Sequence, residues 1–224
     1  SAVELPRRTP PLKFDANGLP IHGALPSCLH WELLDDRRDA VRARLRWEGG
    51  ALLEIFPFEH TLELHARVAG TELVIETSVR ADGGVAVPVA FGFHPYLTIP
   101  RSDRRTWEIG LPVRERLLLD ERMIPTGASE PFERRSFALG DGGWDDAFAD
   151  LIEPSIFFLS CAGRRIELQF LDGYSYAQVY SPAGESFICF EPMTAPTNAL
   201  RSGDGLRSVA PGSVFRAAFR IAVR

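Results

Sequence analysis

Apolar and polar residues alternate one by one over much of this chain. In "HTLELHARVAG" the alternation sets Leu62, Leu64, Ala66 and Val68 on one face, and in "TELVIETSVRADG" it does the same for Leu73, Ile75, Thr77 and Val79. Successive side chains of an extended strand point to opposite faces, so a period of two predicts half-buried β-strands. The join Ala69-Gly70-Thr71 predicts a tight hairpin turn between them. "RRIELQFLDG" alternates Ile166, Leu168 and Phe170, and "SVFRAAFRIAVR" alternates Phe215, Ala217, Phe219 and Ile221. "SFICFEP" reads as a short apolar strand. "VAVPVAFGF" carries Pro88, which cannot donate to a ladder, so it predicts an edge or bulged strand.

Turn signals separate these runs, among them Asn17-Gly18, Gly83-Gly84, Gly142-Gly143 and Asp172-Gly173. No long amphipathic helical stretch occurs, and strands do not alternate with helices. The pattern therefore predicts an all-β, mostly antiparallel fold of two packed sheets, with residues 1–224 as a single domain. Residues Gly127 to Asp146, "GASEPFERRSFALGDGGWDD", read as the most loop-like region, a segment that would border a cleft.

A chain of 224 residues that is 45% hydrophobic can bury a sizeable core. The formal net charge of −5 argues against nucleic acid or an anionic membrane as partner. No apolar run approaches the roughly 20 residues of a membrane span, and no secretory signal opens the sequence. Cys28, Cys161 and Cys189 are odd in number and form no CxxC, so neither a disulfide framework nor a cysteine zinc site is expected. They read as small core residues of a reducing, cytoplasmic environment.

Five histidines offer acid–base chemistry, yet no HExxH or HxH pair brings two together locally, so no metal site is expected. His60 and His65 differ by five and so face opposite ways on one strand. His22, between Pro20 and Gly23, sits on irregular backbone. His94, in "FGFHPYL", follows a strand interrupted by Gly92 and precedes Pro95. An imidazole at such a break can reach a cleft and exchange a proton near neutral pH. Glu191 ends the apolar run "FICFEP", where desolvation would raise its pKa and make it a better base. "GGWDDAF" adds Asp145 and Asp146, adjacent acids of the kind usually solvated on a loop.

In this order along an all-β chain, "PIHG", "FGFHPYL", "DDAF" and "FEPMTAPTNAL" resemble the aldose 1-epimerases, the galactose mutarotase-like proteins. The similarity runs from about Arg8 to the end, and "FGFHPYL" with "EPMTAPTNA" is its most specific part. The resemblance implies a large antiparallel β-sandwich (the galactose mutarotase-like supersandwich), an open sugar cleft, no cofactor and no required metal. It implies interconversion of the α and β anomers of an aldose, with a monosaccharide such as an aldohexose as partner and a monomer or homodimer as the acting form. By position His94 matches the family's general acid and Glu191 its general base. His22 matches the second, sugar-binding histidine, and Asp145 the hydroxyl-binding aspartate, with Asp146 as alternate. The family arginine follows a Pro-Asn pair; here "PRRT" offers Arg8 at that place, with Arg7 where the asparagine would stand. Strands that the family carries before this point are missing from the sequence, so a shortened form or a start inside the domain is expected. Two alternatives share the fold: a hexose-6-phosphate 1-epimerase, with Arg101, Arg104 and Arg105 at the phosphate end, and a non-catalytic carbohydrate-binding protein.

Overall fold

The computed structural model describes residues 13–23 and 29–224. Arg8 and Cys28 lie outside the described residues.

Every strand pair in the described residues is antiparallel. The larger sheet has nine strands, in the order Ser136–Ala138, Glu108–Gly110, Ile156–Cys161, Arg164–Asp172, Val214–Val223, Glu72–Ala81, His60–Ala69, Ala40–Trp47 and Glu32–Arg37. The smaller has six: Pro125–Pro131, Val113–Leu119, Trp144–Leu151, Tyr176–Ser181, Ile188–Met193 and Tyr96–Leu97. Two short ribbons accompany them, Lys13–Phe14 with Pro20–Ile21, and Val87–Val89 with Arg207–Val209. The all-β expectation holds, and the two described α-helices, Gly50–Ile55 and Ala199–Ser202, are short.

The apolar alternation becomes the core. Leu168, Phe170, Ala217 and Phe219 from the nine-stranded sheet meet Phe148, Val179, Ile188 and Phe190 from the six-stranded sheet in one buried cluster. Burying each of the larger of these side chains contributes roughly 1.5–3 kcal/mol. Toward the turn of this hairpin the contrast fades, and Val68, opposite Leu73, is half exposed. The hairpin itself is as the sequence implies. Ala69 pairs with Glu72, and Gly70 takes φ 60° at the first loop position, as a type II′ turn requires. Pro88 lies in a two-stranded ribbon opposite Ser208, where its missing N–H costs no central ladder bond.

The segment read as loop is different. Within residues 127–146 the structure has the end of strand Pro125–Pro131, all of Ser136–Ala138 and the start of Trp144–Leu151. Pro125–Pro131 pairs along Val113–Leu119 at the sheet margin and is exposed on both faces from Thr126 onward. Its backbone is satisfied by the ladder while its side chains have no buried face, so no apolar alternation marks it. No helix among the described residues is long and apolar enough to cross a membrane.

Candidate active site

Strand Tyr176–Ser181 lies between Trp144–Leu151 and Ile188–Met193, and its register builds the site. Asp145 is opposite Tyr180, Gln178 is opposite Glu191, and Tyr180 is opposite Cys189. Cys189 is in turn opposite Tyr96. Residues paired directly across antiparallel strands project to the same face. Asp145, Gln178, Tyr180, Cys189, Glu191 and Tyr96 therefore share one face, while Phe148, Val179 and Phe190 point into the core. The two adjacent acids are separated by this rule. Asp145 accepts a hydrogen bond from Gln178 Nε2 at 2.6 Å on the site face. Asp146 points to the other face, where Arg116 Nη2 pairs with it at 2.5 Å. Both lie in a strand, not on the solvated loop that the sequence suggested.

His94 reaches this face from the connection between Val87–Val89 and Tyr96–Leu97. Gly92 bridges to Met193, and a Cβ there would sit 2.7 Å from the Pro192 carbonyl oxygen, so only glycine allows the approach. The buried Thr194 holds the same segment: its hydroxyl accepts from Phe91 N at 3.0 Å and donates to Phe91 O at 3.1 Å. Phe93 N donates to Pro192 O at 3.2 Å. Pro95 then restricts the backbone of His94 to extended conformations. The outcome is a separation of 3.3 Å between His94 Nε2 and Glu191 Oε1. Tyr96 stacks on the imidazole, with centroids 4.7 Å apart and planes 14° off parallel. His22, on left-handed backbone at φ 64°, sets its ring edge-on to that of His94 at 5.7 Å.

The structure thus brings His22, His94, Asp145 and Glu191 together. His60 and His65 stay apart, as expected from their spacing. His60 is buried and stacked on Trp47, while His65 faces Glu76 at 3.4 Å. Two of the three arginines considered for a phosphate, Arg104 and Arg105, already have partners. Buried Arg104 donates to the carbonyls of Pro182 and Gly142 and to Ser181 Oγ, and Arg105 pairs with Asp103. Gln178, Tyr96 and Thr194 were not singled out from the sequence. A glutamine flanked by Ala177 and Val179 on a strand was the available signal for Gln178, since it must share a face with something polar.

Burial dominates the electrostatics. It pushes the Glu191 carboxyl up from 4.5 to about 8, helped by the negative charge of Asp145. Burial raises Asp145 as well, opposed by the Gln178 hydrogen bond. His94 is lowered, first by burial and then by His22, and His22 is lowered by burial and by the charge of Lys13. Cys189 is pushed up to about 12 by burial and by Glu191. Near neutral pH the arrangement favours a proton on Glu191 and a neutral His94. Passing that proton across the 3.3 Å gap yields a carboxylate facing an imidazolium, a base and an acid side by side.

The sequence profile of the aldose 1-epimerase family matches residues 8–222. Among curated proteins the chain is similar to the uncharacterized protein YihR of Escherichia coli K12, 26% identical over 162 residues, covering 68% of this chain and 52% of that one. The chain thus spans about half the length of the curated relative it matches. Among solved structures it resembles the Slr1438 protein of Synechocystis sp. PCC 6803, at 27% identity and TM-score 0.74, covering 87% of this chain and 66% of that one. It also shares the fold of a galactose 1-epimerase from Lactobacillus acidophilus NCFM, at 14% identity and TM-score 0.74, covering 95% of this chain and 72% of that one.

Proposed function

The chain belongs to the aldose 1-epimerase family, and on that footing we propose that it interconverts the α and β anomers of an aldose by acid–base ring opening, with His94 and Glu191 as the proton-transferring pair. The observation that carries this reading is the 3.3 Å approach of His94 Nε2 to Glu191 Oε1 in a largely dry setting. Glu191, as carboxylate, takes the proton of the C1 hydroxyl. His94, as imidazolium, gives one to the ring oxygen, and the C5–oxygen hydroxyl of the open chain forms as the C1–oxygen ring bond breaks. Rotation about C1–C2 presents the other face of the aldehyde, and reclosure returns both protons. One proton shared by the pair before and after the cycle suits a reaction with no net proton change. Burial is the largest influence on both groups, raising the Glu191 carboxyl and lowering the His94 imidazole, so each loses part of its preference for the charged form.

In this reading Asp145, Gln178 and His22 orient the sugar through its hydroxyls, and Tyr96 and Thr194 position His94. The resemblance adds Arg8, at the place of the family arginine in the sequence, as a substrate-binding candidate. The partners already taken by Arg104 and Arg105 weigh against a phosphorylated substrate at that end. Polarimetry on freshly dissolved α-anomers of glucose, galactose and their 6-phosphates tests the proposal. Acceleration of the rotation change beyond the uncatalysed rate is expected for at least one free sugar. A chain that binds a sugar by calorimetry and leaves every rate at its uncatalysed value would make it a carbohydrate-binding protein instead.

A further inference from the structure

A second set of side chains overlaps the proposed acid–base pair. His94, Cys189 and Glu191 each offer one ligand atom, and these atoms all lie within 4.8 Å of one another. We propose that a ring nitrogen of His94, Cys189 Sγ and a Glu191 carboxylate oxygen form a binding site for a zinc-class divalent ion, and that the ion inhibits the enzyme by competing with the sugar. The inhibitory half rests on the epimerase reading; the binding half does not.

The ligand set is brought together by the fold rather than by local spacing. Cys189 and Glu191 are two apart on one strand and so share a face, and His94 arrives from a segment nearly a hundred residues earlier. Thiolate and imidazole ligands select zinc and cobalt over magnesium or calcium, which favour all-oxygen sites. Three protein ligands with a fourth position open is a common arrangement for an exchangeable zinc site. With metal–ligand bonds of about 2.0–2.3 Å, tetrahedral ligands sit roughly 3.3–3.7 Å apart, so the side chains need close by only about 1 Å. His94 and Glu191 already stand at 3.3 Å. Cys189 is fully buried and forms the back of the site, whereas the His94 and Glu191 side chains remain 26% and 13% exposed and leave an entry. On binding, the Zn–S bond forms as the S–H bond breaks, the carboxyl likewise gives up its proton, and both protons leave to solvent. The imidazole lone pair occupied by zinc is then unavailable to the ring oxygen of a sugar, and the carboxylate is unavailable to the C1 hydroxyl.

The full chain, stripped with a chelator, is titrated with Co²⁺ and followed by absorption, then with Zn²⁺ by calorimetry and by polarimetry. Expected are one ion per chain, a thiolate-to-cobalt charge-transfer band, displacement of that band by Zn²⁺, and a zinc-dependent rise in KM with little change in kcat. Cys189→Ser should lose the band and, measured against its own zinc-free rate, need at least about tenfold more zinc for half inhibition. Cys189→Ala, checked for folding by its thermal melt, serves if the serine variant does not fold. A chain that mutarotates sugar but shows neither band nor heat overturns the metal site and leaves the epimerase reading standing. Variants that titrate like the parent overturn the role of the thiol. A chain that gives the band in the parent alone yet accelerates no mutarotation keeps the binding site and removes the epimerase reading with its inhibition.

Discussion

Glu191→Gln separates what the carboxyl does from what its burial costs. The substitution keeps shape and one acceptor oxygen but removes the group that would take the C1 hydroxyl proton. A positioned acid–base group contributes about 10²–10⁴-fold, so turnover should fall by roughly that factor with sugar affinity little changed. The same change should stabilise the protein. Glu191 is raised from 4.5 to about 8, so the folded state holds a proton that the unfolded state has released. Stability associated with this group is full below pH 4.5 and is lost as pH rises through about 8. The slope over that window is about 1.4 kcal/mol per pH unit, and the whole loss approaches roughly 5 kcal/mol. Gln does not titrate, so its advantage over the parent should grow across the same window. Urea unfolding at pH 5, 6, 7 and 8 reads the stability, and polarimetry with calorimetry reads turnover and binding. A variant that mutarotates at the parental rate would remove Glu191 from the chemistry. Parallel stability curves for parent and variant would mean that the carboxyl is not buried at a cost.

Three further outcomes follow from the site. The competent one-proton state of the pair is lost when Glu191 deprotonates and when His94 charges, so kcat/KM should decline above about pH 8 and below the lowered pKa of His94, on the acid side of 6.5, in a stopped-flow or polarimetric pH profile. Thr194→Val leaves Phe91 N without its hydroxyl acceptor; it should cost about 1–3 kcal/mol in denaturant unfolding and lower kcat through a looser His94. Asp145→Ala should weaken sugar binding by on the order of 1 kcal/mol in calorimetry, whereas Asp146→Ala, which breaks the pair with Arg116 on the opposite face, should leave affinity unchanged.

The strands around Leu62–Val68, Leu73–Val79, Ile166–Phe170 and Phe215–Ile221 were legible because each buries one face and exposes the other, which writes the period of two into the residues. Gly70 and Pro88 were legible because their backbone limits hold in any context. Pro125–Pro131 was not, since a strand exposed on both faces leaves no apolar record. The roles of His22, His94, Asp145 and Glu191 came from the resemblance of short motifs, which put Asp145 first and Asp146 as alternate. Register separates the two acids: one residue's shift along Trp144–Leu151 exchanges the faces of the two carboxylates. Register also placed Gln178 against Glu191, Tyr96 against Cys189, and Thr194 under the segment that carries His94. Those neighbours are 13, 93 and 103 residues apart in the chain, and no local pattern encodes them. The raised pKa of Glu191 likewise belongs to the fold, because desolvation is a property of everything packed around a carboxyl and not of the carboxyl itself.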